Sequence, residues 1–491
     1  MTESNRVRLG FALEGVDGAN FGVTPANPAF QTLRVTAIDL AGKPNTKISD
    51  EIRDDRQISD LILVGQNTDG GFSAELSFGA FDSLIEATLF GSWAEKPGRL
   101  NLTAGGALTS VTAATGTVAL ASGPAVAPGH LVRLSGFGQT ANNGLFRAGA
   151  GSNATNLVAA GAGLVNETPP PVGASLKVVG FQGAAGDLKT AVGPNRLTSA
   201  ALDFNTLGLS VGEWVKIGGA AAANRISVTG CNGWARIGAI AANALTLDVA
   251  PPGFAVSNET TSTVQVWIGD LLRNGVIRRS FTAEESFLGQ AAPTHIYHRG
   301  LTPSSLKIDL AANDVVKTEF RFVGRNSTDQ DARVAGATSL PAAASDVLNS
   351  AANVGRLAEG GTALTGPNFV TACSLNVDNN IRALTAVGSL GAVGAGAGVG
   401  RSTVTGRLST YFGSRALLAK MLANQTTSYD LTLSDSLGRS LLIDLPMVKF
   451  SGGAPQVSAA DRDVILDLDF QAIRHPTLGC QIQIQRFFEG T

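Results

Sequence analysis

The chain is poor in the features on which disulfide frameworks, metal sites and membrane spans depend. Its 491 residues include only three cysteines, Cys231, Cys373 and Cys480. Their odd number and wide spacing favour neither a disulfide framework nor a metal site, so we interpret them as small apolar residues. No run of about 18 apolar residues occurs, which predicts that no helix spans a membrane. Since the N-terminus lacks the apolar core of a secretion signal, we expect synthesis and folding in a cytoplasm.

Charge and aromatic residues are also sparse. The formal net charge is −2 with a pI near 6.1, so the chain lacks the excess of positive charge that binds nucleic-acid phosphates. Aromatic residues make up 6% of the chain, whereas glycine occurs 59 times and hydrophobic residues reach 44%. This composition supports real cores built from short strands and many turns. We therefore expect a mainly β fold with a few short helices.

Motifs that would carry catalysis are missing as well. His295 and His298 lie three residues apart in a strand-like segment, where their side chains point to opposite faces and cannot share one metal ion. The glycine-rich segment 387–400 lacks the Lys-Ser/Thr ending of a phosphate-binding loop. No Gly-x-Ser-x-Gly elbow is present. We expect no catalytic residue, no cofactor and no metal site.

The most informative stretch runs from residue 49 to residue 90 and reads as a charged loop, a strand and a helix. Alternate apolar residues at 72, 74, 76 and 78 predict a strand with one buried face. Phe81, Leu84, Ile85 and Leu89 then follow helical spacing, so one stripe of the helix can pack on that face. The segment therefore predicts a small unit of a strand covered by a helix.

A similar unit occurs near the C-terminus, at residues 402–423. By residue identity, Leu408-Ser409 matches Leu76-Ser77. The leucines at 417, 418 and 422 match the apolar residues 84, 85 and 89. The strand-like segment 465–470 likewise matches segment 315–322 in its alternation. We therefore predict two copies of one sheet-plus-helix domain.

Between these copies the chain repeats itself a second time. Residues 143–147 (NGLFR) match residues 232–236 (NGWAR), and the Asn-Glu-Thr at 166–168 returns at 258–260. The order of the matches is kept, which indicates two tandem β-modules. The predicted domains are a discontinuous first domain (1–106 plus 270–330), two inserted modules (107–184 and 185–269) and a second domain (331–491).

Several local expectations complete this reading. Residues 1–30 read as an extended arm, and residues 30–40 as one strand that ends at the Gly-Lys-Pro-Asn of 42–45. Residues 326–365, rich in alanine, serine and glycine, read as a linker with a long loop.

Two segments carry a family resemblance. Residues 49–89 and 441–479 resemble the N-terminal and C-terminal ends of the major tail tube proteins of long-tailed, siphovirus-type bacteriophages. The inserted pattern WVKIGG…NGWARIGAI…LTLD is similar to β-modules found within some members. The resemblance implies a β-sandwich-like fold whose inner sheets join into a barrel-shaped ring. Rings would stack into a hollow tube through which genomic DNA passes, with three duplicated chains per ring favoured over six.

The resemblance also implies where the chain meets its neighbours. The charged loop corresponds to a family loop that contacts the adjacent ring or subunit, and its interface residues would be Ile48, Asp50, Glu51, Ile52, Arg53, Asp54, Asp55, Arg56 and Ile58. DNA must slide past the lumen without sticking, so a lumen should avoid a basic stripe. We expect Lys317, Glu319, Asp467 and Asp469 to face it.

The implied partners are other copies of the chain and other tail proteins, such as tape measure, tip or baseplate and terminator proteins, with no membrane. The implied location is the virion tail, after assembly in the host cytoplasm. A carbohydrate-binding or adhesin-type surface protein is the alternative, with Trp214, Trp234 and Trp267 as the available aromatic side chains. An enzyme of cell-wall breakdown would need a carboxylate pair that the sequence does not place.

Overall fold

The structure, a computed structural model, describes residues 3–159, 163–392 and 397–489. The chain divides into two compact units. Unit 1 comprises the described parts of Met1–Ser92, Leu272–Ser436 and Ile443–Gln483, and unit 2 those of Trp93–Leu271, Leu437–Leu442 and Ile484–Thr491. Strands predominate and helices are short in both units, which confirms the expected mainly β class. No described helix combines the length and the apolar character that crossing a membrane requires.

The elements up to the first helix are β1 (Val7–Val16), β2 (Ala29–Thr32), β3 (Ala37–Ile38), β4 (Ala41–Ile48), β5 (Leu61–Glu75) and α1 (Asp82–Thr88). The chain from residue 93 to residue 273 contains β6 (Gly98–Leu100), β7 (Leu108–Thr112), β8 (Thr117–Leu120), β9 (His130–Ser135), β10 (Gly144–Arg147), β11 (Asn156–Val158), β12 (Ser175–Gln182), β13 (Lys189–Ala191), β14 (Arg196–Thr198), β15 (Trp214–Ile217), β16 (Gly233–Ala241), β17 (Ala244–Val249) and β18 (Gln265–Arg273).

The rest of the chain contains β19 (Arg279–Phe287), β20 (Thr294–Ala311), β21 (Lys317–Gly324), β22 (Asn326–Gln330), β23 (Thr338–Leu340), β24 (Val354–Glu359), β25 (Thr362–Ala363), β26 (Val370–Asp378), β27 (Ile381–Ala383), β28 (Ala397–Val399), β29 (Thr403–Tyr411), α2 (Ala416–Leu422), β30 (Thr427–Ser434), β31 (Ser440–Gln456), β32 (Ile465–Ala472) and β33 (Gln483–Phe487).

Eight strands of unit 1 form one antiparallel sheet, hereafter the main sheet. Their order is β4–β5–β21–β20–β26–β29–β32–β31. The first four and the last four strands follow the same plan. In each set the second strand leads into a helix, and the last two strands form a hairpin. The ladder between β20 and β26 joins the two sets.

One face of the main sheet is apolar because alternate residues of each strand turn to the same side. In the first set Phe72 lies between the rings of Phe81, Phe320 and Phe322, with centroids 5.3–6.2 Å apart. In the second set, the ring of Phe470 lies 5.6 Å from that of Tyr429. The predicted buried faces at 72–78 and at 466–470 are therefore confirmed.

The pairing register corrects one sequence match. Phe72 lies opposite Phe320, and Gly406 lies opposite Phe470. This pairing places Leu408 at the position of Ala74, whereas the local sequence match had aligned Leu408 with Leu76. The difference is two residues, which keeps the same face of a strand, so alternation alone did not reveal it. The bounds of α1 and α2 follow the corrected register, so the helix match was off by one residue.

Four local expectations are wrong. Residues 7–16 of the supposed arm form β1, which pairs with β19. Residues 30–40 are not one strand, since β2 and β3 are separated by a bend. The Gly-Lys-Pro-Asn at 42–45 continues in β4, because an edge strand tolerates proline. The supposed linker 326–365 contains β22 to β25. Of these, β23 pairs with β2 and β24 pairs with β30, so their partners are distant in sequence, whereas β24 and β25 form a short hairpin.

Unit 2 is built from short antiparallel strands, and the larger of its two described apolar clusters draws on both halves of the unit. Strands β6, β9, β10 and β12 lie in its first half, and strands β14 to β18 lie in its second half. Side chains from both predicted modules contribute to this cluster, for example Phe181 and Phe204, whose rings lie 5.7 Å apart. The module boundaries at 107, 184 and 269 stay predictions.

Candidate assembly surfaces

The polar face of the main sheet carries the four residues that the sequence analysis assigned to a lumen. Lys317 and Glu319 alternate with buried residues on β21, and Asp467 and Asp469 do so on β32. The register places all four on the face opposite the apolar core. The structure therefore brings these residues onto one surface, although they come from distant parts of the chain.

Sequence reasoning missed other charged residues on the same face. They come from β20 and β29, and they are Lys307, Asp309 and Arg407. Arg321 lies on this face as the alternation in the predicted strand 315–322 places it. No strand was predicted over the segment of β20 that carries Lys307 and Asp309.

The cations of this face are paired with carboxylates. The Lys317 amino group lies 2.7 Å from a carboxylate oxygen of Asp314, and that of Lys307 lies 2.8 Å from Asp309. The Arg407 guanidinium lies 3.0 Å from Asp467 and 3.8 Å from Asp469. Because each of these three cations has an acidic neighbour, this part of the face presents alternating charge.

Two cations of this face have raised pKa values. The hydrogen bond to Asp314 raises the pKa of Lys317 above its usual value. For Arg321 burial lowers the pKa, but hydrogen bonds to Asp39 and Glu319 outweigh that effect and raise it.

The second surface is the hairpin arm formed by β4, β5 and the connection 49–60. The predicted interface residues lie at its tip, with Ile48 ending β4 and the others in the connection. Ile52 is fully exposed and Ile58 is 69% exposed. Arg53 and Asp55 pair at 2.8 Å, and the bond from Arg53 lowers the pKa of Asp55. The tip thus combines exposed isoleucines with local ion pairs.

The third feature is the pair of sheet ends. The main sheet ends at β3 and β4 on one side and at the last residues of β31 on the other. Ala37 and Ala454 are exposed at these ends. A free strand edge presents unpaired backbone groups that can accept another strand.

In unit 2 the same pattern of asparagine side-chain hydrogen bonds occurs twice. The Asn143 side chain accepts a hydrogen bond from the Phe137 amide and donates to the Phe137 carbonyl, both at 2.9 Å. Asn232 does the same with Ile226, at 3.0 and 2.9 Å. Each asparagine therefore stabilises the loop that precedes it. This structural role explains the match between 143–147 and 232–236.

The repeated Asn-Glu-Thr segments act in a similar way. The Glu167 carboxylate accepts from the amides of Gly138 and Gln139. Glu259 accepts from Ser227 and Ser262, and although its burial alone would raise its pKa, these and other serine hydrogen bonds lower it to about 2. Both glutamates are structural.

The three tryptophans that the carbohydrate-binding alternative depends on, Trp214, Trp234 and Trp267, do not form an exposed aromatic platform. Trp214 and Trp267 are buried, and the half-buried Trp234 packs edge-on against Phe487 at 4.8 Å. This arrangement agrees with a core role for Trp214 and gives little support to a sugar-binding site.

The two histidines of β20 are occupied by local partners. His295 Nδ1 lies 2.8 Å from the Ser286 hydroxyl, and His298 Nδ1 lies 2.7 Å from the Ser327 hydroxyl. Within the described residues no group of three or more metal-binding side chains converges.

A comparison with protein families gives one match. The model of a family described as phage tail tube protein matches residues 4–472, which is nearly the whole chain. No curated protein matches the chain.

Proposed function

The chain belongs to the phage tail tube protein family, and from this membership we propose that it assembles into stacked rings that form the hollow tail of a long-tailed, siphovirus-type phage. A tail tube protein is a structural component of the virion and belongs to no enzyme family. Genomic DNA would pass through the tube during delivery to the host.

The observation that carries the ring proposal is the ladder between β20 and β26. Seven residue pairs, from Ser305 with Asp378 to Ala311 with Ala372, join the two four-stranded sets. These sets share strand order and helix position, so we interpret them as two copies of one tube domain. The same kind of ladder can form between chains, where β31 of one copy meets β3 and β4 of the next.

The internal ladder predicts the register of this junction. Position 309 corresponds to 454 because their partners are 317 and 467, and position 374 corresponds to 37 because their partners are 407 and 73. Since Asp309 pairs with Ser374, we expect Ala454 to lie opposite Ala37 of the neighbouring chain.

Three chains would then close a ring of six tube domains by this repeated step. Six chains per ring is the second possibility. The polar face would line the lumen, where its paired charges offer no basic stripe to hold DNA phosphates. The arm tip at 48–58 would contact the next ring or subunit. Tape measure, tip or baseplate and terminator proteins are the proposed tail partners.

Negative-stain microscopy and the sedimentation mass of the purified protein test this function. We expect rings or tubes with a central hole, and a ring mass of three chains of 50.2 kDa each. A mass of six chains would select the second stoichiometry. Persistent monomers at high concentration would overturn the ring proposal.

Cysteine cross-linking tests the register. In Ala37→Cys/Ala454→Cys, oxidation should link separate chains once rings have formed, because facing strand residues have Cβ atoms about 4.5–5.5 Å apart. The matched control is Ala311→Cys/Ala372→Cys, a facing pair of the internal ladder, which should link within one chain at any concentration. Rings without the first cross-link would exclude this register.

A carbohydrate-binding role of the inserted unit is the alternative function. It has no exposed tryptophan platform in its favour. Saturable binding of the whole protein on a glycan array would support it.

A further inference from the structure

The helix α2 exposes a side that its counterpart α1 buries. By the corrected register Ile85, Thr88 and Leu89 of α1 correspond to Ala419, Leu422 and Ala423. The three α1 residues are at most 2% exposed, whereas Leu422 is 74% exposed and both alanines are exposed. The side of α2 that carries Leu422 is therefore uncovered in the described part of the chain, whereas the equivalent side of α1 is covered.

The junction of the two strand sets within the chain, hereafter the internal junction, shows what covers the corresponding side of α1. Asn379, which follows β26 of the second set, is buried. Its side chain donates to the carbonyls of Thr88 at 2.8 Å and of Pro303 at 3.2 Å. The second set therefore touches both the end of α1 and the strand β20 of the first set.

A cavity of about 390 Å³ marks the same contact. It is lined by Leu89 and Phe90 at the end of α1 and by Val399, Gly400 and Ser402 beside β28. The end of α1 thus faces residues 399–402, which lead from β28 into β29 of the second set.

The corresponding place on the hairpin arm is an open groove. Since Gly406 corresponds to Phe72, residues 399–402 correspond to residues 65–68 of β5. A groove of about 520 Å³ lies there, lined by Gly42, Lys43, Leu63, Gln66, Ile296 and Asp329 among others. Gln66 pairs with Pro44 and Gly42 with Thr68, and Thr68 is buried on the same side of β5 as Phe72. The groove therefore opens on the side of the sheet that carries the helices.

We propose that the exposed end of α2, at Leu422 and Ala423, seats in this groove of a second copy of the chain. The inference rests on the proposed ring, and it names a contact on the outer side of the sheet in addition to the strand ladder. The occupant is a second copy because the chain already makes the equivalent contact between its own two sets. Closing the ring would then pair the free edge of the main sheet and bury Leu422 of α2 at the same time.

Ring formation by Leu422→Asp tests the contact, with Leu102→Asp in unit 2 as the matched control. Leu102 is 80% exposed, so both changes place the same charge at an exposed leucine. We expect Leu422→Asp to raise the concentration needed for rings at least about tenfold, because it removes the burial of one leucine side chain and adds an unpaired charge. Leu102→Asp should assemble like the unchanged protein. The melting temperature of each unassembled variant shows whether it folds.

A second pair of variants locates the groove. Oxidation of Ala423→Cys/Gln66→Cys should link neighbouring chains in assembled rings. Ser83→Cys/Gln66→Cys, with the cysteine on the exposed side of α1, should not. If rings form and neither the assembly defect nor the cross-link appears, this inference is wrong and the ring proposal stands. If the unchanged protein forms no rings, the ring proposal itself fails.

Discussion

The helices α1 and α2 occupy the same place in their halves of the main sheet, yet one is covered and the other is not. Each has seven residues and follows the second strand of its set. Four residues of α1 are buried, whereas Leu417 is the buried residue of α2. The comparison teaches that the apolar content of a helix does not determine which of its sides is covered.

The chain that follows each helix provides the first part of the difference. After α1 the chain enters unit 2 and returns at Leu272, and the returning segment binds the helix end. The amide of Gly275 donates to the Leu89 carbonyl at 2.9 Å, and that of Ile277 donates to the Phe90 carbonyl at 2.8 Å. After α2 only residues 423–426 precede β30, so the connection that follows this helix is too short to return across it.

Both helices are nevertheless anchored at one equivalent position. Glu86 of α1 pairs with Arg279 at 3.0 Å, and Lys420 of α2 pairs with Glu359 at 2.6 Å. The two ion pairs have opposite polarity. Each helix is therefore anchored by an ion pair to a strand outside the main sheet, α1 to β19 and α2 to β24. The ion pair of α2 leaves Leu422 exposed.

The largest expected effect is a direct contrast between the helices. Leu89→Ala should destabilise the unassembled chain by about 2–5 kcal/mol, because it removes a buried side chain and leaves a cavity. Leu422→Ala should change the unfolding free energy by less than about 0.5 kcal/mol, since Leu422 is largely exposed. Chemical denaturation measures both. Equal effects would remove the distinction between the two helices.

The inserted unit offers a second comparison, between the folded and the unfolded surroundings of His130, which is buried at the start of β9. Burial of His130 lowers its pKa from 6.5 to about 4, while the bond to the Leu207 carbonyl opposes the shift and nearby Lys96 adds to it. Its Nδ1 accepts from the Ala127 amide at 3.0 Å, so protonation removes that bond.

Below pH 6.5 the unfolded chain binds a proton that folded His130 does not bind, so unit 2 should lose stability as the pH falls from 6.5 to 4. The loss should be on the order of 3 kcal/mol. His130→Gln should flatten this part of the curve, which denaturation at a series of pH values would measure. An unchanged slope would refute the assignment.

Removal of the Asn379 side chain, which bonds the second strand set to the first, should lower the free energy of unfolding by an intermediate amount. Asn379→Ala leaves the buried carbonyls of Thr88 and Pro303 without their side-chain donor, which should cost about 1–3 kcal/mol. The end of α1 should then exchange its amide hydrogens more readily and become more like α2. Asn376→Ala on the polar face of β26 is the control, with a smaller expected loss. Identical losses would argue that the Asn379 side chain adds nothing.

The smallest expected effect concerns the polar face. Arg407→Ala removes an exposed ion pair with Asp467 and should change the unfolding free energy by about 0–1 kcal/mol. In assembled tubes the same change should make the lumen more acidic. The two halves of the main sheet should respond alike, so Lys307→Ala is the paired measurement. A large loss from either variant would indicate that these pairs contribute to the core.

Sequence reasoning succeeded where one residue pattern depends on one neighbour. Alternation at residues 72–78 and at 466–470 predicted buried faces, and spacing predicted α1. It failed at residues 30–48 and 326–365, where the strands are short or lack apolar periodicity, and where β2, β23 and β24 have partners distant in sequence. The nine arm residues and the four face residues were named from resemblance and alternation, and their roles in assembly stay predictions.

The amino-acid sequence by itself determined the mainly β class, the repeated spelling and the low basic charge, because these depend on composition and local periodicity. The tertiary structure alone decided the register of the two halves, the ladder between β20 and β26, and the difference in cover between α1 and α2. A strand shifted by two residues keeps its buried face, so local pattern cannot fix the register. The cover of a helix comes from segments far away in the chain, and no helix sequence encodes them.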